Sequence, residues 1–194
     1  MSEILCTHWN FKTDQMHPYA FWNNFLSKKE CDTIVKQGRK LKLHKAKTNS
    51  LTAQNARKSN TSWIFPKKDN LWLFRRTTDV ILDLNNKYFN FDILGLNEGF
   101  QFTNYKHPDG HYGKHVDNSF NMSIRKLSVS IQLTDPKKYE GGDLKLYTSE
   151  EGKIMDRTQG TLIIFPSFTM HEVLPITKGE RNSLVSWITG KPFK

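Results

Sequence analysis

The sequence predicts an α+β domain in which helices come first and a β-sandwich or jelly roll follows. Three observations carry that prediction: helical periodicity before residue 90, a period of two beyond it, and turn signals between short strands with no βαβ alternation. In order, Ser27-Lys-Lys-Glu30 has the form of a capping box, and Cys31, Ile34, Val35 and Gly38 follow at helical spacing, so a helix is expected over about 28–40. Residues 42–62 are polar and aperiodic and read as a basic loop, with Trp63-Ile-Phe65 a short strand ended by Pro66. Leu71, Phe74, Thr78, Ile81 and Tyr88 keep one face without an intervening Gly or Pro, which predicts a second helix over about 69–89. Strands are then expected over 100–105, 127–133, 143–147, 161–165 and 181–188. Pro108-Asp-Gly110, Asp135-Pro136, Gly141-Gly142 and Lys178-Gly179 supply the turns between them.

The 194 residues suffice to bury a core without staples, and they are read as one domain. Within it, 1–95 forms a helical, basic support and 96–194 the core that carries chemistry. Cys6 and Cys31 are too few for a disulfide framework and lack the spacing of a zinc site, which favours a reducing, cytoplasmic setting. Met1-Ser-Glu-Ile-Leu-Cys6 has no basic stretch followed by an apolar run, and no segment approaches the 18 apolar residues of a membrane span. The net charge of +10 is concentrated: residues 28–76 hold 14 Lys or Arg against three acidic residues, while the remainder is nearly neutral. Such a segment is either a solvated face or a steering surface for an acidic protein, peptide or nucleic acid. No nucleic-acid-binding motif accompanies it.

His115-Val-Asp117 puts an imidazole and a carboxylate two residues apart, on the same side of an extended backbone. About 0.7 such triplets are expected from composition alone, so the pair needs company to mean anything. His171, at the end of the apolar run beginning at Gly160, provides it. Two histidines and a carboxylate are the ligand set of non-haem Fe(II) oxygenases and leave three octahedral positions open. Arg181, Ser183, Val185 and Trp187 share one face of the next strand, where a buried guanidinium would suit the remote end of a dicarboxylate. Tyr105 and Tyr112 offer phenolic donors to the same cavity. A surface His–Asp pair, a core histidine and a surface arginine are the plain alternatives for these residues. His107 and His111, around a turn, are assigned no metal role.

These segments resemble the Fe(II)- and 2-oxoglutarate-dependent dioxygenases, specifically the prolyl 4-hydroxylase-like, PKHD-type branch. The resemblance rests on Tyr105 with Tyr112-Gly-Lys-His-Val-Asp-Asn118, on Arg125 to Pro136 followed by Tyr139-Glu-Gly-Gly-Asp-Leu144, and on Gly160 to Pro166, His171-Glu-Val-Leu-Pro175 and Lys178-Gly-Glu-Arg181. A looser echo lies in Asn24 to Cys31. The resemblance implies a double-stranded β-helix, a distorted jelly roll with N-terminal helices packed on one sheet. It implies that His115, Asp117 and His171 bind Fe(II), and that Arg181 holds the C5 carboxylate of 2-oxoglutarate with Tyr105. Trp187, Ser130 and Gln132 would line that pocket, with Gln132 standing where the family often has an aromatic or aliphatic residue. Dioxygen is the second cosubstrate and ascorbate an auxiliary reductant. Tyr112, Trp63 and Arg57 are the candidates for contacting substrate. The branch favours a prolyl residue in a protein or peptide, of acidic or flexible character given the basic segment. Nucleic-acid oxidation or demethylation, hydroxylation of a free amino acid, and an inactive binding module are the competing readings.

Overall fold

The structure, a computed structural model, describes residues 17–45, 56–118 and 124–192. In chain order its elements are β1 (Ala20–Trp22), α1 (Lys28–Lys40), β2 (His44–Lys45), β3 (Arg57–Lys58), β4 (Asn60–Ile64), α2 (Leu71–Leu84), β5 (Ile93–Leu96), β6 (Phe100–Lys106) and β7 (His111–His115). They continue with β8 (Arg125–Gln132), β9 (Tyr139–Gly141), β10 (Leu144–Leu146), β11 (Lys153–Ile154), β12 (Leu162–Pro166), β13 (His171–Val173) and β14 (Ile176–Gly190). Two sheets result. The major one has the order β1-β12-β8-β14-β6-β4-β2, with β5 and β9 branching from β14, and the minor one runs β11-β10-β13-β7-β3. The strand pairs are antiparallel throughout, as a jelly roll requires.

α1 begins where the sequence says it should. The Ser27 hydroxyl accepts from the Glu30 amide at 3.3 Å while the Glu30 carboxylate accepts from the Ser27 amide at 2.8 Å, completing the capping box. Its buried stripe of Cys31, Ile34 and Gly38 faces the major sheet, and Leu73, Phe74, Val80, Ile81 and Leu84 of α2 do the same. Phe100, Phe102, Leu127, Val129, Ile131, Leu184 and Ile188 meet them from the strands. Each such side chain stabilises the fold by roughly 1.5–3 kcal/mol relative to exposure. Gly38 lets α1 approach the sheet closely: a Cβ there would sit 2.5 Å from the Phe102 ring. A second apolar cluster, including Tyr139, Leu144, Leu146, Ile163, Phe165 and Val173, fills the space between the sheets.

Four expectations need correction. The stretch 42–62 is not all loop, because β2, β3 and the start of β4 lie in it; such short, polar strands at sheet edges have no period of their own to read. Residues 46–55 of that stretch, like Cys6, lie outside the described residues. The second helix is α-helical only to Leu84 and ends in a π-turn over Asn85–Phe89, where the Asn85 amide exchanges hydrogen bonds with the Phe91 backbone at 3.0 and 3.1 Å. Lys178-Gly179 is not a turn between strands. It lies inside β14, where Gly179 takes φ +72° as pairing passes from β9 to β6, and a Cβ there would meet the Lys138 carbonyl at 2.3 Å. Finally, the portion before residue 96 is not simply helical, because β1, β2, β4 and β5 all join the major sheet.

Candidate metal and cosubstrate site

Between the sheets lies a cavity of about 490 Å³. His115 and His171 are paired directly across β7 and β13, with ring centroids 4.1 Å apart. Asp117 is not on extended strand; β7 ends at His115, and the chain bends so that the Asp117 and Asn118 amides both donate to the Ser167 carbonyl, at 2.9 and 3.1 Å. That bend still turns the carboxylate inward. Its Oδ1 lies 3.6 Å from His115 Nε2 and its Oδ2 3.4 Å from His171 Nε2, and one ligand atom from each residue falls within 4.8 Å of the others.

The second nitrogens of both rings are occupied. His115 Nδ1 lies 2.8 Å from the Gly113 carbonyl and His171 Nδ1 lies 2.9 Å from the Thr169 carbonyl. As donors to carbonyls, the Nδ1 atoms leave each Nε2 lone pair facing the cluster, the arrangement that a metal-ligating imidazole needs. Burial lowers the His171 pKa despite Asp117 beside it, which favours the neutral, ligating form. Burial also opposes ionisation of Asp117, but His171 and His115 outweigh it and hold the carboxyl below the usual carboxylate range. The Ser128 hydroxyl donates to Asp117 Oδ2 at 2.7 Å and lies 2.9 Å from the Ser167 hydroxyl. Two imidazoles with Nε2 turned inward and one oriented carboxylate suit a divalent ion of the Fe(II) type.

Arg181 sits opposite Tyr105 in the β14–β6 register and is 2% exposed. Its Nε and Nη2 donate to Gln132 Oε1 at 3.2 and 2.8 Å, whereas Nη1, also buried, has no hydrogen-bond partner among the described residues. A buried donor without a partner is costly, so a guanidinium with one free arm in a cavity fits a carboxylate that arrives with a ligand. Arg181, Ser183, Val185 and Trp187 all line the cavity, as their shared strand face requires, together with Tyr105 and Ser130. Gln132 corrects the expectation that it lines the pocket. It stands behind Arg181 and orients it.

Around the mouth, the Tyr112 ring stacks on His115 with centroids 3.6 Å apart, and the Arg57 guanidinium lies over Tyr112, 4.4 Å from its ring centroid. Trp63 is 38% exposed and stands 6.1 Å from Trp187 on one side and 6.2 Å from Phe65 on the other. His107 is exposed and His111 opens β7, and neither belongs to the His-Asp-His cluster. The sequence reading missed Ser128, Ser167 and the Arg125–Glu98 pair. Arg125 makes bidentate bonds of 2.7 and 2.6 Å to Glu98, lies 3.8 Å over the Trp187 ring, and reaches the Asp117 carbonyl at 3.3 Å. Ser128 and Arg125 stand on the same strand as Ser130 and Gln132, so the alternation of Ser128, Ser130 and Gln132 with Leu127, Val129 and Ile131 was the available signal.

Known proteins share this architecture. The family model of the 2OG-Fe(II) oxygenase superfamily matches residues 100–189. A PKHD-type hydroxylase of Prochlorococcus marinus (strain NATL2A) is 31% identical over 165 residues, covering 80% of this chain and 74% of its own length. Among solved structures, a Pseudomonas putida prolyl-4-hydroxylase superposes with a TM-score of 0.73 at 20% identity, covering 91% of this chain and 94% of that one. A Trichoplax adhaerens prolyl hydroxylase, solved with a hypoxia inducible factor peptide fragment, gives 0.74 at 21% identity over 89% of this chain and 84% of its own. At those identities the two structures speak for the fold. The chain belongs to the 2OG-Fe(II) oxygenase superfamily, among its PKHD-type hydroxylases. It is a 2-oxoglutarate-dependent dioxygenase, whose chemistry uses Fe(II), 2-oxoglutarate and dioxygen. No helix among the described residues is long and apolar enough to cross a membrane.

Proposed function

We propose that the chain hydroxylates an unactivated C–H bond of a prolyl residue in a protein or peptide, with His115, Asp117 and His171 holding Fe(II) and Arg181 holding 2-oxoglutarate. The observation that carries the reading is the unmatched Nη1 of Arg181 in the same cavity as the His-Asp-His cluster. With both bound, the metal and cosubstrate supply the oxidation, converting 2-oxoglutarate and dioxygen to succinate, carbon dioxide and a hydroxylated product. The protein's part is to orient and to exclude water. Gln132 fixes the Arg181 fork, and Arg181, with Tyr105 opposite it in the strand register, would hold the C5 carboxylate. Ser128 and the Ser167 carbonyl hold Asp117 in place. Ser130 and Trp187 close the inner wall, while Tyr112, Arg57 and Trp63 stand where a substrate enters. The rigid, partly exposed ring of Trp63 suits a prolyl ring. Residues 1–194 act in this reading as one unit, the N-terminal portion supporting the core.

Support from relatives lies in the prolyl hydroxylase neighbours, one of them solved with a peptide. The test is 2-oxoglutarate decarboxylation with added Fe(II), with and without ascorbate, against proline peptides, oligonucleotides and free proline. Proline peptides should stimulate succinate formation and gain 16 Da, with ascorbate sustaining turnover. Stimulation by oligonucleotides or free proline alone would replace the substrate assignment. Asp117→Ala and His171→Ala should each abolish Fe(II) binding and turnover; wild-type turnover in either variant would overturn the ligand assignment.

A further inference from the structure

A second cavity, of about 840 Å³, lies beside the first and shares Arg57 with it. It opens near β2 and β3, the end strands of the two sheets, and Asn60 and Asn104 of β4 and β6 line it as directly paired neighbours. Among the described residues its cationic groups are Lys45, Arg57, Lys58 and Lys106, joined by the imidazoles of His107 and His111, and Asp109 is the one acidic residue that lines it. Asp109 lies 3.8 Å from Lys58, with both side chains more than half exposed, so this pair is weak and yields readily to another carboxylate. Among the described residues, neither Lys45 nor Lys106 forms an ion pair. A lysine-rich face that serves only solubility has no reason to be concave or to join the active-site mouth. Here the positive charge does both.

Arg57 is the hinge of the arrangement. Its Nε donates to the Ser59 hydroxyl at 2.8 Å, its Nη2 to Gln101 Oε1 at 2.8 Å, and its plane covers Tyr112, whose ring stacks on His115. The guanidinium is therefore held in place between the groove and the catalytic cavity. A peptide passing from one to the other would cross it.

We infer that this groove docks an acidic segment of the peptide substrate, adjacent in sequence to the residue presented to the catalytic cavity. The inference rests on the reading of the site as a peptide hydroxylase and adds a flanking specificity to it. An extended peptide advances roughly 3.3–3.6 Å per residue, so the recognised Asp or Glu residues lie within a few positions of the target.

Binding is measured directly, by fluorescence anisotropy, so the outcome does not depend on hydroxylation. The probes are fluorescein-labelled proline peptides carrying three Glu on one flank, the same peptides with Gln or Lys there, and a single-stranded oligonucleotide of ten residues. The Glu peptide should bind about tenfold more tightly than the Gln peptide at low salt, and the advantage should shrink in 0.5 M NaCl. Lys45→Gln/Lys106→Gln should remove most of the advantage, whereas Lys29→Gln, on the helix away from the groove, should keep it. Lys106→Glu should reverse the preference towards the Lys peptide, a gain that loss of folding cannot produce. Equal affinity for the Glu and Gln peptides, persistence of the preference in the double variant, or tighter groove-dependent binding of the oligonucleotide would each overturn the inference. Loss of hydroxylation with the acidic preference intact would overturn the reaction assignment instead.

Discussion

The two sheets do different work. The major sheet is built on long, buried strands: every residue of β8 is buried, and β14 runs for fifteen residues against four partners. The minor sheet consists of strands two to five residues long, and β11 is exposed at both positions. Yet His115 and His171 stand on the minor sheet, while Arg181, Gln132 and Ser128 stand on the major one. The histidines are set by their own sheet, through the β7–β13 pairing and their Nδ1 contacts with the Gly113 and Thr169 carbonyls. The major sheet adds the third group and a brace: Ser128 and Ser167 fix Asp117, and Phe165 packs edge-on against His171 at 4.9 Å.

That division can be broken from either side. Ser128→Ala removes the link at the carboxylate and should lower Fe(II) affinity or turnover by about 10–100-fold, with little change in melting temperature; a variant titrated with Fe(II) at wild-type affinity would show that the link is idle. Gly38→Ala acts on the opposite side, because its new Cβ would collide with Phe102 under α1. A cost of about 1–3 kcal/mol follows, lowering the melting temperature by roughly 3–10 °C while kcat at 20 °C stays near wild type. If Gly38→Ala lost activity without losing stability, the two sheets would not be separable in this way. Gln132→Leu sharpens the picture within the major sheet: it should raise KM for 2-oxoglutarate by about 2–10-fold, with kcat less affected, as expected for a lost hydrogen bond to a buried guanidinium.

The smallest effect belongs to Cys31, whose thiol is pushed up to about 12 by burial under α1. In a Cys6→Ser background it should resist iodoacetamide at pH 8.5 when folded and react in urea, as read by mass spectrometry. Its protonated form is the one the fold favours. The corresponding stability is therefore complete below about pH 9 and declines as pH rises towards 12, a loss that Cys31→Ala should lack.

Much of the scaffold was legible because its signals are local. Ser27 and Glu30 fix the start of α1 through their own bonds, and the alternation of Arg181, Ser183, Val185 and Trp187 gives the inward face of β14 without reference to any partner. What escaped depends on distant segments. β2 and β3 are two residues each and exist only because β4 and β7 pair with them. Asp117 turns inward through the backbone of Ser167, fifty residues away, rather than through strand alternation. Gln132 looks like a pocket residue by parity, and only the position of Arg181 converts it into a support.

That support is neutral. Were the residue behind Arg181 a carboxylate, the pocket would contain a closed ion pair, and an incoming dianion would have to compete with it. Gln132 contributes a dipole and no charge, so the positive charge stays available and the anchor contains no second acid to titrate. The affinity for 2-oxoglutarate should then trace a plateau from mild acid to mild alkali, a flat line where a competing acid would have drawn a curve.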